Sequence, residues 1–83
     1  MSVKPVKLVT WVDSSTLNRG GWCDRDMIAP QPLCTIKSVG WIVQEDAKHI
    51  VIAGCDSDGG QMSRLTAIPR GCIVSMKTLR ESR

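Results

Sequence analysis

The sequence predicts an all-β fold, a small, five-stranded and strongly bent barrel with a long first loop. Short apolar runs rich in Val and Ile recur along the chain, and clusters of polar residues, Gly and Pro separate them. Gly40 lies inside a long run, where a glycine typically marks the bend that lets a strand turn the corner of a small barrel. Closure of such a barrel removes most exposed strand edges.

The first strand is predicted over 4–13, a run rich in Val, Thr and Trp that stops at the polar cluster Asp13-Ser14-Ser15. A long loop over 14–32 follows, and only its segment from Asp24 to Ile28 is compatible with a single helical turn. Loops of this length inside a compact domain tend to be functional or mobile. This loop is therefore a candidate for a binding role.

The other four strands follow at short intervals. They are predicted over 33–44, 49–55, 61–68 and 72–79, and 80–83 is predicted to be a frayed tail. The connections at 45–48 and 56–60 are rich in polar and turn-forming residues. Pro69 cannot donate a ladder hydrogen bond, so it ends the fourth strand, and Arg70-Gly71 makes a tight corner into the fifth.

Length and composition narrow the class of protein. The 83 residues are predicted to form a single domain, 1–83, of a size at which one core contributes little stability and oligomerisation often compensates. We therefore expect a homo-oligomer in which the fourth and fifth strands pair across subunits.

The composition also excludes some classes of protein. The hydrophobic content of 42% excludes a disordered chain, and no apolar run is long enough to span a membrane. No signal peptide is recognisable, so a cytoplasmic location is expected.

The cysteines and the histidine do not form a metal-binding pattern. The four cysteines lack CxxC spacing, and His49 is the single histidine, so no metal and no cofactor are expected. We interpret the four cysteines, Cys23, Cys34, Cys55 and Cys72, as reduced residues that pack like small hydrophobic side chains.

No catalytic constellation is recognisable either. Ser14 and Ser15 have no nearby histidine in the sequence, and no thiol stands beside His49. The segment 56–60 contains two aspartates and two glycines but lacks the glutamate of a calcium loop, so it is interpreted as a turn. The chain is therefore not expected to be an enzyme.

The charge distribution permits an anionic ligand. The net charge of +3 comes from scattered Lys and Arg residues, and such a distribution is more typical of a solvated mixed surface. Trp22 lies in the long loop beside Arg19 and Arg25, and an aromatic ring with neighbouring guanidinium groups suits a nucleotide, because the ring stacks on a base while Arg pairs with phosphate. The alternative is that Trp22 folds back into the barrel. Trp11 and Trp41 are interpreted as core or interface residues.

Arg70 is predicted to project from one end of the barrel, because it lies between a rigid proline and a glycine. The alternative is that Arg70 pairs with Glu45 or Asp46 on the surface. We predict one ligand-binding site that contains Arg19, Trp22, Arg25, Arg70 and Gly71.

Two segments resemble the Sm-like family. Gly40-x-Ile42-x-x-x-Asp46 is similar to the first Sm motif, and Arg70-Gly71-Cys72-Ile73-Val74 is similar to the second. The resemblance covers the C-terminal half and implies an SH3-like or Sm-like barrel that forms an RNA-binding ring. His49 and Ile50 stand where that family has the Met-Asn pair that reads a base.

The whole chain also resembles small uncharacterised proteins of phages and prophages. The shared segments are Trp11-Val12-Asp13-Ser14, Gly20-Gly21-Trp22, Ser38-Val39-Gly40-Trp41 and Ile68-Pro69-Arg70. This resemblance implies an origin in a phage and no particular activity.

Three classes of function remain after these exclusions. The first is a non-enzymatic, oligomeric module for a nucleotide-type anionic ligand, such as a phage counter-defence protein that sequesters a cyclic nucleotide signal in the host cytoplasm. The second is an Sm-like RNA-binding ring, and the third is a structural or protein-interaction barrel.

Overall fold

The computed structural model describes residues 5–15, 17, 20–28 and 32–80. The strands are β1 Val6–Val12, β2 Thr35–Glu45, β3 His49–Asp56, β4 Met62–Pro69 and β5 Ile73–Leu79, and two 3₁₀ turns cover Arg25–Met27 and Arg70–Cys72. The all-β class and the five strands are thus confirmed, and each strand lies within two residues of its predicted bounds. No helix in this part of the chain is long and apolar enough to cross a membrane.

All five strands belong to one antiparallel sheet with the order β4-β3-β2-β1-β5. In the described part of the chain, β4 pairs with β3 and β5 pairs with β1, so β4 and β5 are the two edges of the sheet. Among the described residues the sheet is therefore open, and the predicted closure into a barrel is not formed. Within the same residues, the outward N–H and C=O groups of both edge strands have no ladder partners.

The connection between β4 and β5 nevertheless requires a strongly bent sheet. Only Arg70–Cys72, here named the corner turn, joins Pro69 at the end of β4 to Ile73 at the start of β5. Four Cα–Cα steps reach at most about 14 Å, whereas the outer strands of a flat five-stranded sheet lie about 19 Å apart. The sheet must therefore curl until its two edges approach each other at the corner turn.

The β2 strand changes its partner along its length. Residues 35–41 pair with β1 and residues 41–45 pair with β3, so Trp41 belongs to both ladders. Gly40 lies at this junction, and a Cβ atom built on it would approach the carbonyl oxygen of Ala53 to 2.3 Å. Only glycine allows the backbone of β3 to pass this close to β2, so the position at which the sequence predicts a bend requires glycine for a close backbone approach.

The core is small and lies inside the bend. Its buried cluster consists of Val9, Ile42, Ile50, Ile52 and Ile68. Trp11 packs against this cluster, and its indole N–H donates a 3.1 Å hydrogen bond to the Ser38 hydroxyl. The predicted core role of Trp11 is thus confirmed, and Ser38 satisfies the polar end of the ring.

The cysteines differ from the expectation. All four are free thiols, but Cys23, Cys34 and Cys55 are exposed and Cys72 is half-buried. The interpretation as buried packing residues is wrong, because these positions lie in connections or near strand ends, beyond the reach of the small core. Apolar neighbours in the sequence are therefore not sufficient to place a cysteine side chain in the core.

Candidate functional site

The corner turn holds Arg70 in a defined position. The backbone N–H of Arg70 donates a 2.8 Å hydrogen bond to the Lys48 carbonyl, and its Nε donates a 2.5 Å bond to the Asp46 carbonyl. Its Nη2 atom lies 3.7 Å from a Glu45 carboxylate oxygen. These contacts attach the corner turn to the β2–β3 connection, which is the surface pairing that the sequence left open as an alternative.

The β2–β3 connection is itself held by hydrogen bonds. One carboxylate oxygen of Asp46 accepts hydrogen bonds from the backbone N–H groups of Lys48, at 2.7 Å, and His49, at 2.8 Å, and lies 3.1 Å from His49 Nδ1. The bond from the His49 amide, followed by that from the Lys48 amide, lowers the pKa of Asp46 below its ordinary value, because both favour the charged carboxylate. Arg70 is therefore bound to a turn that is already ordered.

A cavity of about 320 Å³ opens at the corner turn. Its walls come from the end of β1, the residue before Cys34, the corner turn and the start of β5. The lining residues are Val12, Asp13, Ser14, Leu33, Gly71, Cys72, Ile73 and Val74. We name it the corner cavity.

Two local features shape the corner cavity. The register of β1 against β5 shifts between Thr10, which faces Ser75, and Trp11, which faces Ile73, so Val74 is an extra residue in β5. Such a bulge turns a side chain out of the regular ladder, and Val74 is 65% exposed. The backbone N–H of Asp13 donates a 2.9 Å hydrogen bond to the Cys34 carbonyl, which attaches the opposite wall to the end of β1.

Gly71 contributes open space to this wall. A Cβ atom built on Gly71 meets no atom within 4 Å, in contrast to the crowded Gly40. Gly71 is thus not required by local packing, and its missing side chain leaves the mouth of the corner cavity unobstructed.

The predicted site residues of the long loop lie on its surface. Trp22 is fully exposed, so the alternative in which its ring plugs the core is wrong. Arg25 begins the first 3₁₀ turn and is exposed, whereas Arg19 lies outside the described residues. Arg70 and Gly71 lie together in the corner turn.

Two smaller cavities lie elsewhere in the described part of the chain. One cavity of about 270 Å³ lies among Pro5, Lys7, Ile42, Glu45 and Met76, and one of about 220 Å³ lies beside the β3–β4 connection. Among the residues described, no group of three or more His, Cys, Asp or Glu side chains is placed to hold a metal ion.

Comparisons of the chain with family models, with curated proteins and with solved structures gave no match. The functional argument therefore depends on the geometry of the corner cavity and of the exposed loop.

Asp13, Leu33 and Val74 line the cavity but were missed as site residues in the sequence. Asp13 was assigned only to the end of the first strand, although a carboxylate directly after an apolar run is a detectable signal. The participation of Leu33 and Val74 had no such signal, because it depends on a bulge and on a contact between distant segments.

Proposed function

We propose that the protein is a non-enzymatic, oligomeric binding module for a nucleotide-type anionic ligand. The observation that carries this proposal is the corner cavity, which has Gly71 in its wall and the fixed cation Arg70 next to it in the chain. Arg70 donates from Nε to the Asp46 carbonyl, and its side chain remains 38% exposed. A guanidinium group has five N–H donors, so Arg70 retains donors for a phosphate.

The exposed loop supplies a second kind of contact. The indole ring of Trp22 is fully exposed, and Arg25 follows three residues later on the same surface segment. A base stacked on an aromatic ring contributes about 1 to 3 kcal/mol. In a phage, a module with these properties would sequester a cyclic nucleotide signal of the host.

The oligomeric part of the proposal is supported by the edge strands. Both edges lack ladder partners within the described chain, and both carry exposed apolar side chains. These are Met62 and Leu65 on β4, and Val74, Met76 and Leu79 on β5. Pairing of β4 with β5 of another copy would satisfy both edges at once.

The test is a thermal-shift screen against cyclic dinucleotides, cyclic trinucleotides and short oligoribonucleotides. A ligand present at 100 times its dissociation constant adds about 2.7 kcal/mol of stability. We expect Arg70→Ala and Trp22→Ala each to lose binding while the fold and the oligomer persist, since the backbone bond from Arg70 to Lys48 does not depend on the side chain.

Two matched variants control this experiment. Arg80→Ala removes one exposed positive charge at the end of the described chain, and Met27→Ala removes a 71% exposed apolar side chain from the same loop as Trp22. Both should bind like the native protein. If Arg70→Ala and Trp22→Ala retain every ligand that the native protein binds, the site lies elsewhere.

A protein-interaction module is the second candidate, and the exposed apolar side chains of the edge strands favour it. Such a module would show no nucleotide in the screen. An RNA-binding ring would instead bind the oligoribonucleotides alone, with an affinity that falls steeply with salt because counterions are released.

A further inference from the structure

We propose that the corner cavity receives the uncharged nucleoside part of the ligand, and that the Asp13 carboxylate binds the adjacent hydroxyl groups of its ribose. This inference rests on the proposed function, and it assigns to the cavity one chemical part of the ligand. The phosphate then lies outside the cavity, toward Arg70, and the base that stacks on Trp22 is that of a second nucleotide in the same ligand.

The charge of the cavity walls excludes phosphate from its interior. None of the lining residues is Lys or Arg, and the one charged residue is Asp13. A phosphate inside would face a carboxylate without a compensating cation, and like charges in close contact repel. The cavity therefore suits a neutral group that donates hydrogen bonds.

The apolar walls and the volume fit a nucleoside. Val12, Leu33, Ile73 and Val74 provide the apolar surface, which matches the faces of a base and a ribose. Ligand cavities usually span about 300 to 1,000 Å³. The corner cavity, at about 320 Å³, lies at the small end of this range, which suits a single nucleoside unit.

Asp13 is placed to accept hydrogen bonds from the ligand. Its backbone is fixed by the bond to the Cys34 carbonyl, it is half-buried, and its carboxylate has no hydrogen-bond or ion-pair partner among the described residues. An ionised carboxylate only accepts hydrogen bonds, and its two oxygens match two neighbouring hydroxyl donors. Acidic residues bind ribose hydroxyls in this way in dinucleotide-binding folds.

The experiment measures binding by titration calorimetry for the four common ribonucleosides, their 2′,3′-dideoxy counterparts and their 5′-monophosphates. Gly71→Leu places a side chain at the mouth of the cavity, where a Cβ meets no atom within 4 Å, so the fold should persist. Gly59→Leu is the matched control in the β3–β4 connection, because the nearest atom to its added Cβ is the Ser57 hydroxyl oxygen at 3.7 Å. Asp13→Ala removes the carboxylate but keeps the backbone bond to Cys34.

We expect at least one ribonucleoside to bind both the native protein and the Gly59→Leu variant. The Gly71→Leu variant should not bind that ribonucleoside. Asp13→Ala should weaken ribonucleoside binding by about tenfold to a hundredfold, as expected for hydrogen bonds to a charged group. The same variant should bind the dideoxy counterpart as the native protein does, because that compound has no hydroxyls for the carboxylate.

Two results overturn the inference while leaving the proposed function intact. One is monophosphate binding that Gly71→Leu and Asp13→Ala both retain at native strength, and the other is equal affinity of the native protein for ribo- and dideoxynucleosides. If no compound of the panel or of the thermal-shift screen binds, the proposed function fails and the inference fails with it.

Discussion

The two halves of the bent sheet differ in how much they bury. The half made of β3, β4 and the end of β2 contains Ile42, Ile50, Ile52, Ala53 and Ile68, which are five of the six buried apolar residues. The half made of β1 and β5 contributes Val9, and β5 has no buried residue. Stability is therefore concentrated in the first half, while the second half, which borders the corner cavity, contributes less to it.

The largest expected effect comes from a substitution at Gly40, where the two halves of the sheet meet. Gly40→Val should destabilise the protein by about 3 kcal/mol or more, because the added Cβ would lie 2.3 Å from the Ala53 carbonyl oxygen and a backbone atom must move. Chemical denaturation measures the loss. Gly59→Val, which adds its Cβ in open surroundings, should retain most of the stability, and a native midpoint for Gly40→Val would show that the bend lies elsewhere.

A pair of truncations compares the halves directly. Ile68→Ala in β4 removes a fully buried side chain and should cost about 2 to 5 kcal/mol. Val74→Ala in β5 removes a side chain that is 65% exposed and should change the free energy of unfolding by less than about 0.5 kcal/mol. Equal losses from the two variants, measured by denaturant titration, would contradict the assignment of stability to the first half.

Measurements of mass and variants of the edge strands test whether another copy of the chain completes the open sheet. Light scattering at micromolar concentration should give a mass above that of the 9.1 kDa monomer. Leu65→Lys, on the β4 edge, should reduce this mass, because a lysine on an edge opposes strand pairing. Val39→Lys changes a comparably exposed residue of the internal strand β2 and should leave the mass unchanged. A monomer mass for the native protein would refute the oligomer.

The smallest expected effect concerns the turn that holds Arg70. The pKa of Asp46 lies below its ordinary value of 3.8 in the folded protein, so the unfolded chain takes up its proton first as the pH falls. The stabilisation by Asp46 is therefore complete above the unfolded pKa and is lost as the pH falls through the folded pKa. Asp46→Asn should show a weaker decrease of melting temperature between pH 5 and pH 3 than the native protein, and parallel decreases would exclude this contribution.

Local signals in the sequence determined the strands, their order along the chain and the bend. Alternating runs of β-branched residues, the turn-forming segment 56–60 and the glycine at position 40 act through backbone preferences that operate over a few residues. Pro69 and Gly71 likewise predicted the corner turn, which the structure has at Arg70–Cys72. These features follow from short-range chemistry, so one sequence was enough to find them.

Only the tertiary structure decided where the cavity forms, which side chains are exposed and which strand edges stay open. The corner cavity needs Leu33 and Val74 to meet across 41 residues of chain, and the exposure of the cysteines and of Trp22 depends on how far a small core reaches. The attachment of Arg70 to the β2–β3 connection and the open edges of β4 and β5 also arise from pairing between distant segments. The physical reason is that the relative positions of these segments are set by the ladder register and the curl of the whole sheet, which no stretch of neighbouring residues contains.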